Sequence, residues 1–250
     1  MRKLDHLFFD LDNTLWDFDT NSRLAMMETV SQLHLSSQID DFDSFFEVYH
    51  TINTNLWEAY RKQEIRKPEL VKKRFEDTLT HFNIQGINPL GMNELYLKLM
   101  PFQTRLLPGV IETLEYLKKK GYQLHIITNG FAEVQHRKIE SSGLQPYFNR
   151  IFISEEIHAP KPDRKIFEHA LTSCNAKKSK SLMIGDSWET DIVGARNFGI
   201  SQVFVKNNIL SNPSTPSNTG GQNDFSIKIQ NTPPVSTYAI NKLLDLTKLL

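Results

Sequence analysis

The spacing of hydrophobic positions changes along the chain, and each change predicts a different kind of element. Residues 4–10 contain a short apolar run that is typical of a buried strand. From about Asn21 to Met100 the apolar residues recur at helical spacing, with no strand pattern between them. The helices predicted in this block are Asn21–Leu35, Phe42–Lys62, Lys67–Phe82 and Met92–Met100.

After Pro108 and Gly109 the pattern alternates between strands and helices. The predicted strands are Gln123–Thr128, Arg150–Ile153, Ser181–Ile184 and Gln202–Val205. The predicted helices are Val110–Lys120, Ala132–Ser142, Asp163–Cys174 and Thr190–Phe198. Such alternation implies right-handed crossovers and a parallel sheet that is covered on both faces. The predicted fold class is therefore α/β, a doubly wound parallel sheet formed by residues 1–15 and 105–250, with an all-helical domain inserted at 16–104.

The last part of the chain has a different composition. Residues 207–222 are polar and rich in Asn, Ser, Pro, Thr and Gly, which predicts a long loop. The alternation over 225–229 indicates a short edge strand. We expect Thr237–Leu250 to form a closing helix, because Ile240, Leu243 and Leu244 fall on one helical face.

The composition excludes several classes of protein. The 250 residues include 29 basic and 29 acidic side chains, so binding of nucleic-acid polymers through bulk charge is disfavoured. The single cysteine, Cys174, cannot form an internal disulfide, which suits a reducing compartment. Neither a signal peptide nor a membrane span is visible, and we expect a cytoplasmic protein that is a monomer or a small homo-oligomer.

Chemically reactive residues follow four of the predicted strands. They are Asp10 with Asp12 and Thr14, the run Thr128-Asn129-Gly130, Lys161 between two prolines, and Asp186 with Asp191. The carboxyl ends of parallel strands meet at one edge of a sheet, so these groups are expected to converge. Two unpaired carboxylates at a buried strand end repel each other, and a fold tolerates them when a cation is bound nearby.

The chemistry of this set can be argued from its residue types. Mg²⁺ prefers carboxylate and phosphate oxygens, and Asp10 and Asp186 are suitable ligands. With the metal present, one carboxylate can attack phosphorus, while a second exchanges a proton with the leaving oxygen and with water. A hydroxyl, a backbone N–H and a lysine can hold the phosphate oxygens.

The four motifs, in this order, resemble those of the haloacid dehalogenase (HAD) superfamily. They are Asp-Leu-Asp-Asn-Thr, Thr-Asn-Gly, Pro-Lys-Pro and Gly-Asp-Ser-x-x-x-Asp, and the resemblance covers residues 4–205. It implies a Rossmann-like core and makes the helical insertion a cap domain. More narrowly, the segments Phe9–Phe18, Asn53–Trp57, Ile126–Phe131 and Ile153–Glu156 resemble the pyrimidine 5′-nucleotidase branch.

The resemblance implies roles for the core residues. Asp10 would be the nucleophile that forms an aspartyl-phosphate, and Asp12 the general acid and base, with its backbone carbonyl on Mg²⁺. Asp186 would complete the metal site, so the implied ligands are Asp10, Asp12 and Asp186. Lys161 would neutralise charge and orient Asp10.

The remaining site residues would bind substrate or support the others. Thr128 and the backbone N–H of Asn129 would hold the phosphate, and Asp191 would support Lys161 or a water on the metal. In the cap, Asn53 lies on the same helical face as Trp57 and is a candidate substrate contact.

The favoured function is a Mg²⁺-dependent phosphomonoesterase acting on small phosphorylated metabolites, with nucleoside 5′-monophosphates as the first class. A sugar-phosphate or phosphoglycolate phosphatase, or a phosphomutase, would use the same core with a different cap. Asp12 argues against a 2-haloacid dehalogenase, because the dehalogenating members lack this residue. A non-catalytic phospho-accepting domain is disfavoured by the large insertion after the first strand.

Overall fold

The computed structural model describes residues 4–206, 227–232 and 235–250 of the chain. Their strands are β1 (His6–Phe9), β2 (Gln123–Thr128), β3 (Arg150–Ile153), β4 (Ser181–Gly185), β5 (Ser201–Val205), β6 (Ile227–Thr232) and β7 (Val235–Ile240). These strands form one sheet in the order β3-β2-β1-β4-β5-β7-β6. All neighbours pair in parallel except β6, which joins β7 antiparallel at one edge. The predicted α/β class with a parallel sheet is thus confirmed.

The helices of the described residues follow the sequence pattern closely. They are α1 (Phe18–Gln32), α2 (Phe42–Arg61), α3 (Lys67–His81), α4 (Pro89–Leu99), α5 (Val110–Lys119), α6 (Ala132–Ser141), α7 (Ser154–Ile157), α8 (Arg164–Ser173), α9 (Gly194–Phe198) and α10 (Leu246–Leu249). Capping residues begin some of them, as where the Asp41 side chain accepts a hydrogen bond from the Asp43 amide at the start of α2. Asn88 does the same for α4, with proline at the first helical position.

The chain divides into two compact units. One consists of the described parts of Met1–Asp17, Leu106–Gln135 and Gly143–Leu250, and contains the sheet. The other consists of Phe18–Arg105 and His136–Ser142, and contains α1 to α4. The assignment of 16–104 as a functional cap stays a prediction.

Strand β1 lies in the middle of the sheet, between β2 and β4. Phe9 is in register with Ile126 on one side and with Ile184 on the other. Apolar side chains cover the strands, and one buried cluster includes Phe8, Ile127, Phe152, Ile166, Phe167 and Met183. Because β1, β2 and β4 run in the same direction, the residues that follow them emerge at one edge of the sheet.

The predicted closing helix over Thr237–Leu250 is wrong for its first part. Val235–Ile240 is strand β7, which pairs in parallel with β5, and only Leu243–Asp245 and Leu246–Leu249 are short helical turns. The β-branched and aromatic residues of this segment favour a strand. The helical spacing that suggested otherwise combined Ile240, the last residue of β7, with Leu243 and Leu244 beyond it.

Two other C-terminal predictions are only partly testable. The predicted loop at 207–222 lies outside the described residues. The predicted edge strand at 225–229 begins outside them, and within them β6 is an edge strand, as expected. None of the described helices combines the length and the apolar character that crossing a bilayer requires.

Candidate active site

The first reactive residues follow β1 in a tight turn. The amide of Asp10 continues the ladder by donating to the carbonyl of Ile184 at 2.9 Å, which fixes Asp10 beside the end of β4. Asn13 has a left-handed backbone with φ of 56°, a conformation that asparagine tolerates better than most residues. The backbone N–H of Asn13 donates to the backbone carbonyl of Trp16 at 2.8 Å, which closes the turn. The turn thereby holds Asp10 as a nearly buried carboxylate, 8% exposed.

Lys161 lies between two carboxylates. Its ammonium donates to Oδ1 of Asp10 and to Oδ1 of Asp191, at 2.7 Å each, and its side chain is 1% exposed. Burial lowers the pKa of the lysine, but the charges of Asp10 and Asp191 outweigh it and hold that pKa above its ordinary value. Lys161 is therefore a permanent positive charge in contact with Asp10.

Asn129 holds the backbone of Lys161 in place. Its side-chain amide donates to the carbonyl of Lys161 at 2.9 Å, and the amide of Lys161 donates to Oδ1 of Asn129 at 2.8 Å. This reciprocal pair joins the turn after β2 to the loop between α7 and α8. Thr128, the last residue of β2, is buried beside it.

Asp186 follows β4 and is connected to the turn after β1. The hydroxyl of Thr14 donates to Oδ1 of Asp186 at 2.9 Å, while the backbone amide of Asp186 donates to the same hydroxyl oxygen at 3.1 Å. Burial raises the pKa of the Asp186 carboxyl well above its usual range, and the charges of Asp10 and Asp191 add to this effect. Thr14 thus orients a carboxylate that is costly to ionise.

Asp191 lies in a turn of π-helix, Trp188–Val193, where an α-helix was predicted over 190–198. Its Oδ1 accepts from Lys161, and its Oδ2 accepts from the backbone amide of Ser187 at 3.1 Å. A methyl group on Gly185 would stand 2.1 Å from Oδ2 of Asp191, so glycine at the end of β4 makes room for this carboxylate. π-Helical turns of this kind are frequent at functional sites.

A cation could be held by these acidic groups. Among the described residues, one carboxylate oxygen each of Asp10, Asp186 and Asp191 lie within 4.8 Å of one another. Burial raises the pKa of Asp10 to about 7, an effect increased by Asp191 and opposed by Lys161. The negative charge therefore exceeds what Lys161 balances, and the oxygen donors fit a hard divalent cation.

One buried residue of this site was missed by the sequence reasoning. Gln135, on α6, donates from Nε2 to Oδ2 of Asp12 at 3.0 Å and to the hydroxyl oxygen of Thr128 at 2.7 Å. A glutamine in the first turns of a helix carries no motif signal. Its position seven residues after Thr128 becomes informative only once the turn between β2 and α6 is known.

Asn53 lies in the helical unit, and it belongs to none of the four motifs that follow the strands. It is buried on α2, and its Oδ1 accepts from Nη1 of Arg74 at 3.3 Å. Arg74 also donates to Asn93 and stacks on the rings of Phe75 and Tyr96. The carbonyl oxygen of Asn53 is therefore part of a buried network that the sequence did not reveal, and its contact with substrate stays a prediction.

The structure thus brings together side chains that are far apart in the sequence. Asp10, Lys161 and Asp191 are joined by ion pairs, and Asp186 lies near them. Asp12 and Thr128 are joined through Gln135. Three carboxylates and one lysine, all of them buried except the partly exposed Asp186, meet near the carboxyl ends of parallel strands. Such a set suits the transfer of a phosphoryl group or a similar anionic group.

Comparison with known proteins agrees with this geometry. Residues 7–205 match the model of the haloacid dehalogenase-like hydrolase family. The chain belongs to this family and is an enzyme of the hydrolase class, as the four motifs predicted.

Two curated relatives and one solved structure are similar to this chain over most of its length. The chain is 34% identical over 207 residues to the pyrimidine 5′-nucleotidase PynA of Streptococcus pneumoniae, covering 82% of this chain and 85% of PynA. It is 33% identical over 204 residues to the pyrimidine 5′-nucleotidase YjjG of Escherichia coli, covering 81% and 86%. The crystal structure of the HAD-hydrolase YfnB from Bacillus subtilis, bound to magnesium, superposes with a TM-score of 0.80 at 25% identity, covering 100% and 99%.

Proposed function

We propose that this protein is a Mg²⁺-dependent phosphomonoesterase that hydrolyses nucleoside 5′-monophosphates, pyrimidine nucleotides first, through an aspartyl-phosphate on Asp10. The observation that carries the proposal is the placement of Lys161 at 2.7 Å from both Asp10 and Asp191, with Asp186 beside them. The nucleotide class is supported by the two pyrimidine 5′-nucleotidases among the relatives.

Asp10, Asp186 and the backbone carbonyl of Asp12 would hold the metal. Asp191 contributes less directly, because both of its oxygens already accept hydrogen bonds. When bound, Mg²⁺ would offset the negative charge that meets at the phosphate and at Asp10. Magnesium in the crystal structure of YfnB supports this choice of ion.

The first half of the reaction forms the covalent intermediate. A carboxylate oxygen of Asp10 attacks phosphorus as the bond to the nucleoside oxygen breaks, and Asp12 gives its proton to that leaving oxygen. The Thr128 hydroxyl and the Asn129 backbone N–H bind the non-bridging oxygens, and Lys161 balances their charge.

The second half restores the enzyme. Asp12, now a carboxylate, takes a proton from water, and the water oxygen attacks phosphorus. The bond between phosphorus and Asp10 breaks, and inorganic phosphate leaves. Asp10 and Asp12 then have their starting protonation states.

The helical segment 16–104 acts in this proposal as the cap that selects the substrate, with Asn53 as a candidate contact. The enzyme would work on a small metabolite in the cytoplasm, as a monomer or a small homo-oligomer. These points rest on the sequence pattern and on the kind of proteins that the chain resembles.

Phosphate release from a panel of esters tests the proposal. With Mg²⁺, pyrimidine 5′-monophosphates should give kcat/KM values about 10-fold or more above those of sugar phosphates and phosphoglycolate, and a chelator should abolish release. Preference for a sugar phosphate would overturn the substrate class but keep the phosphatase. Absence of phosphate release from every ester would overturn the proposed function.

A further inference from the structure

The side chain of Gln135 connects two groups that the proposed reaction needs. Its Nε2 donates to Oδ2 of Asp12 at 3.0 Å and to the hydroxyl oxygen of Thr128 at 2.7 Å. Asp12 follows β1 and Thr128 ends β2, so a single amide group spans two neighbouring strand ends. Gln135 itself lies on α6 and is 1% exposed.

The chemistry of the two partners fixes how the amide is oriented. Oδ2 of Asp12 accepts a hydrogen bond both when the carboxyl group is ionised and when it carries a proton on Oδ1, so the nitrogen of the amide, which donates, faces it. The second hydrogen of the same nitrogen is then directed at Thr128. The amide oxygen in this position would face the acceptor Oδ2 of Asp12 with no hydrogen between the two atoms.

This orientation decides what Thr128 and Asp12 can do. Because the Thr128 oxygen accepts from Gln135, its own hydrogen is available for another acceptor, as a phosphate oxygen would require. Because Oδ2 of Asp12 accepts from Gln135, the proton that Asp12 delivers is carried on Oδ1. One amide therefore sets the polarity of a phosphate-binding hydroxyl and the site of a transferable proton.

The surroundings keep the Gln135 side chain from turning away. A methyl group added to Gly130 would meet Cδ of Gln135 at 2.7 Å, so this side chain lies directly against the backbone of the Thr-Asn-Gly turn. The backbone N–H of Gln135 donates to the backbone carbonyl of Phe131 at 3.0 Å in the first turn of α6, which holds the start of this side chain in place. The glycine of the motif is thereby explained as space for Gln135.

We propose that Gln135 is a positioning residue for general acid catalysis, holding Asp12 so that Oδ1 protonates the leaving oxygen and Thr128 so that it donates to the phosphate. The inference rests on the proposed phosphatase function. It adds a residue outside the four motifs. It also predicts that substrates with poor leaving groups depend on Gln135 more than substrates with good ones.

The test compares esters whose leaving groups differ in their need for a proton. A nucleoside 5′-oxygen leaves as a poor alkoxide unless it is protonated, whereas 4-nitrophenolate leaves readily without a proton. Gln135→Met keeps the length of the side chain but removes both donors. Its kcat/KM should fall about 100-fold for a nucleoside 5′-monophosphate and only about 10-fold for 4-nitrophenyl phosphate, since general acid catalysis contributes on the order of 100-fold or more.

Gln135→Glu serves as a second variant of almost identical size. When ionised it has no donor and places a second negative charge beside Asp12, so it should show the same selective loss. The control is Gln145→Met, an exposed glutamine in the turn before β3, which should keep wild-type kinetics for both esters. Thermal unfolding of each protein shows that the variants are folded.

Equal loss for both esters, or retention of wild-type kcat/KM for the nucleotide, would overturn the inference, because a merely structural role does not depend on the leaving group. If the wild-type protein hydrolyses neither ester, the proposed function fails. Crystal structures of the wild type and Gln135→Met then decide the positioning role. Displaced Asp12 and Thr128 side chains in the variant would support it, and unchanged ones would overturn it.

Discussion

At the scale of single residues, the site has an excess of buried negative charge. Lys161 pairs with Asp10 and Asp191, and Asp186 lies close by, where its Oδ1 accepts a hydrogen bond from the Thr14 hydroxyl. The pKa of Asp10 is raised to about 7 by burial first and then by Asp191, even though Lys161 opposes the change. A divalent cation would relieve this excess.

The raised pKa predicts a pH-dependent effect of Mg²⁺ on stability. In the metal-free protein Asp10 binds a proton below about pH 7, while in the unfolded chain a carboxyl does so only near pH 4. The folded state is therefore favoured at low pH, and this contribution is lost as the pH rises from about 4 to 7. Mg²⁺ binds the ionised carboxylates, so it should raise Tm more at pH 8 than at pH 5.5.

Differential scanning fluorimetry measures this prediction. Sodium chloride at matched ionic strength is the control for screening, and it should shift Tm equally at both pH values. The same Mg²⁺-induced shift at pH 5.5 and at pH 8 would contradict the account of the charge cluster.

Much of the site at this scale could be predicted from sequence, because the strand ends carry its chemistry. Asp10 and Asp186 directly follow β1 and β4, whose parallel pairing brings them together. Lys161 comes several residues after β3, and the Asn129 side chain fixes its position. Gln135 and Arg74 could not be predicted, because each lies on a helix and its partners depend on how that helix is placed. No sequence pattern marks Arg74, which is buried and donates to Asn53 and Asn93.

At the scale of elements, the end of β4 shows how backbone and charge are coupled. Gly185 leaves the space that the Asp191 carboxylate fills, and that carboxylate is held by Lys161 and by the Ser187 amide. A side chain at 185 would have to push Asp191 away from both partners.

Gly185→Ala should therefore reduce activity as well as stability. We expect a loss of about 10- to 100-fold in kcat/KM, the usual effect of losing a group that orients the ligands of a site. The overpacked methyl should also cost about 1–3 kcal/mol of unfolding free energy. Kinetics and urea unfolding of the purified variant measure the two effects.

Gly91→Ala is a matched control for this change. Gly91 lies in α4, where an added methyl would come no closer than 3.7 Å to any atom beyond its chain neighbours and the adjacent helix backbone. Alanine there should stabilise the helix by about 0.5–1 kcal/mol and leave kcat/KM unchanged. Wild-type kcat/KM in Gly185→Ala would contradict the first prediction, because it would show that activity does not depend on the position of Asp191.

The elements themselves were predicted well where one pattern dominated, and less well where two competed. The sequence predictions agree with the observed bounds of the amphipathic helices α2 and α5 and of the buried strands β2 and β3, apart from small differences at some ends. Strand β7 was misread as a helix, because leucines beyond it have helical spacing while its own residues favour a strand. Its pairing with β5 is a long-range contact that local periodicity does not contain.

At the scale of the whole molecule, the strand order explains why one site forms. The chain passes from β1 outward through β2 and β3, and then crosses to β4 and β5 on the other side of β1. The order reverses between β1 and β4, where crevices for ligands form in sheets of this type. Asp10 and Asp186 follow these two strands, so the topology itself juxtaposes them.

The division into units is also understandable from the sequence. The segment from α1 to α4 interrupts the sheet after β1 and has its own buried residues, including Tyr49, Phe75 and Tyr96. The inclusion of His136–Ser142 in the helical unit was not predictable, because these residues continue a helix that begins in the other unit.

The most direct test of the account is to trap the covalent intermediate. The protein is mixed with Mg²⁺ and a pyrimidine 5′-monophosphate, quenched in acid within milliseconds and reduced with borohydride, which converts an aspartyl-phosphate to homoserine. Peptide mass analysis should find homoserine at position 10 in the wild type and in Asp40→Asn, an exposed control, and none in an inactive Asp10→Asn. Turnover without modification at position 10, or full turnover by Asp10→Asn, would contradict the account.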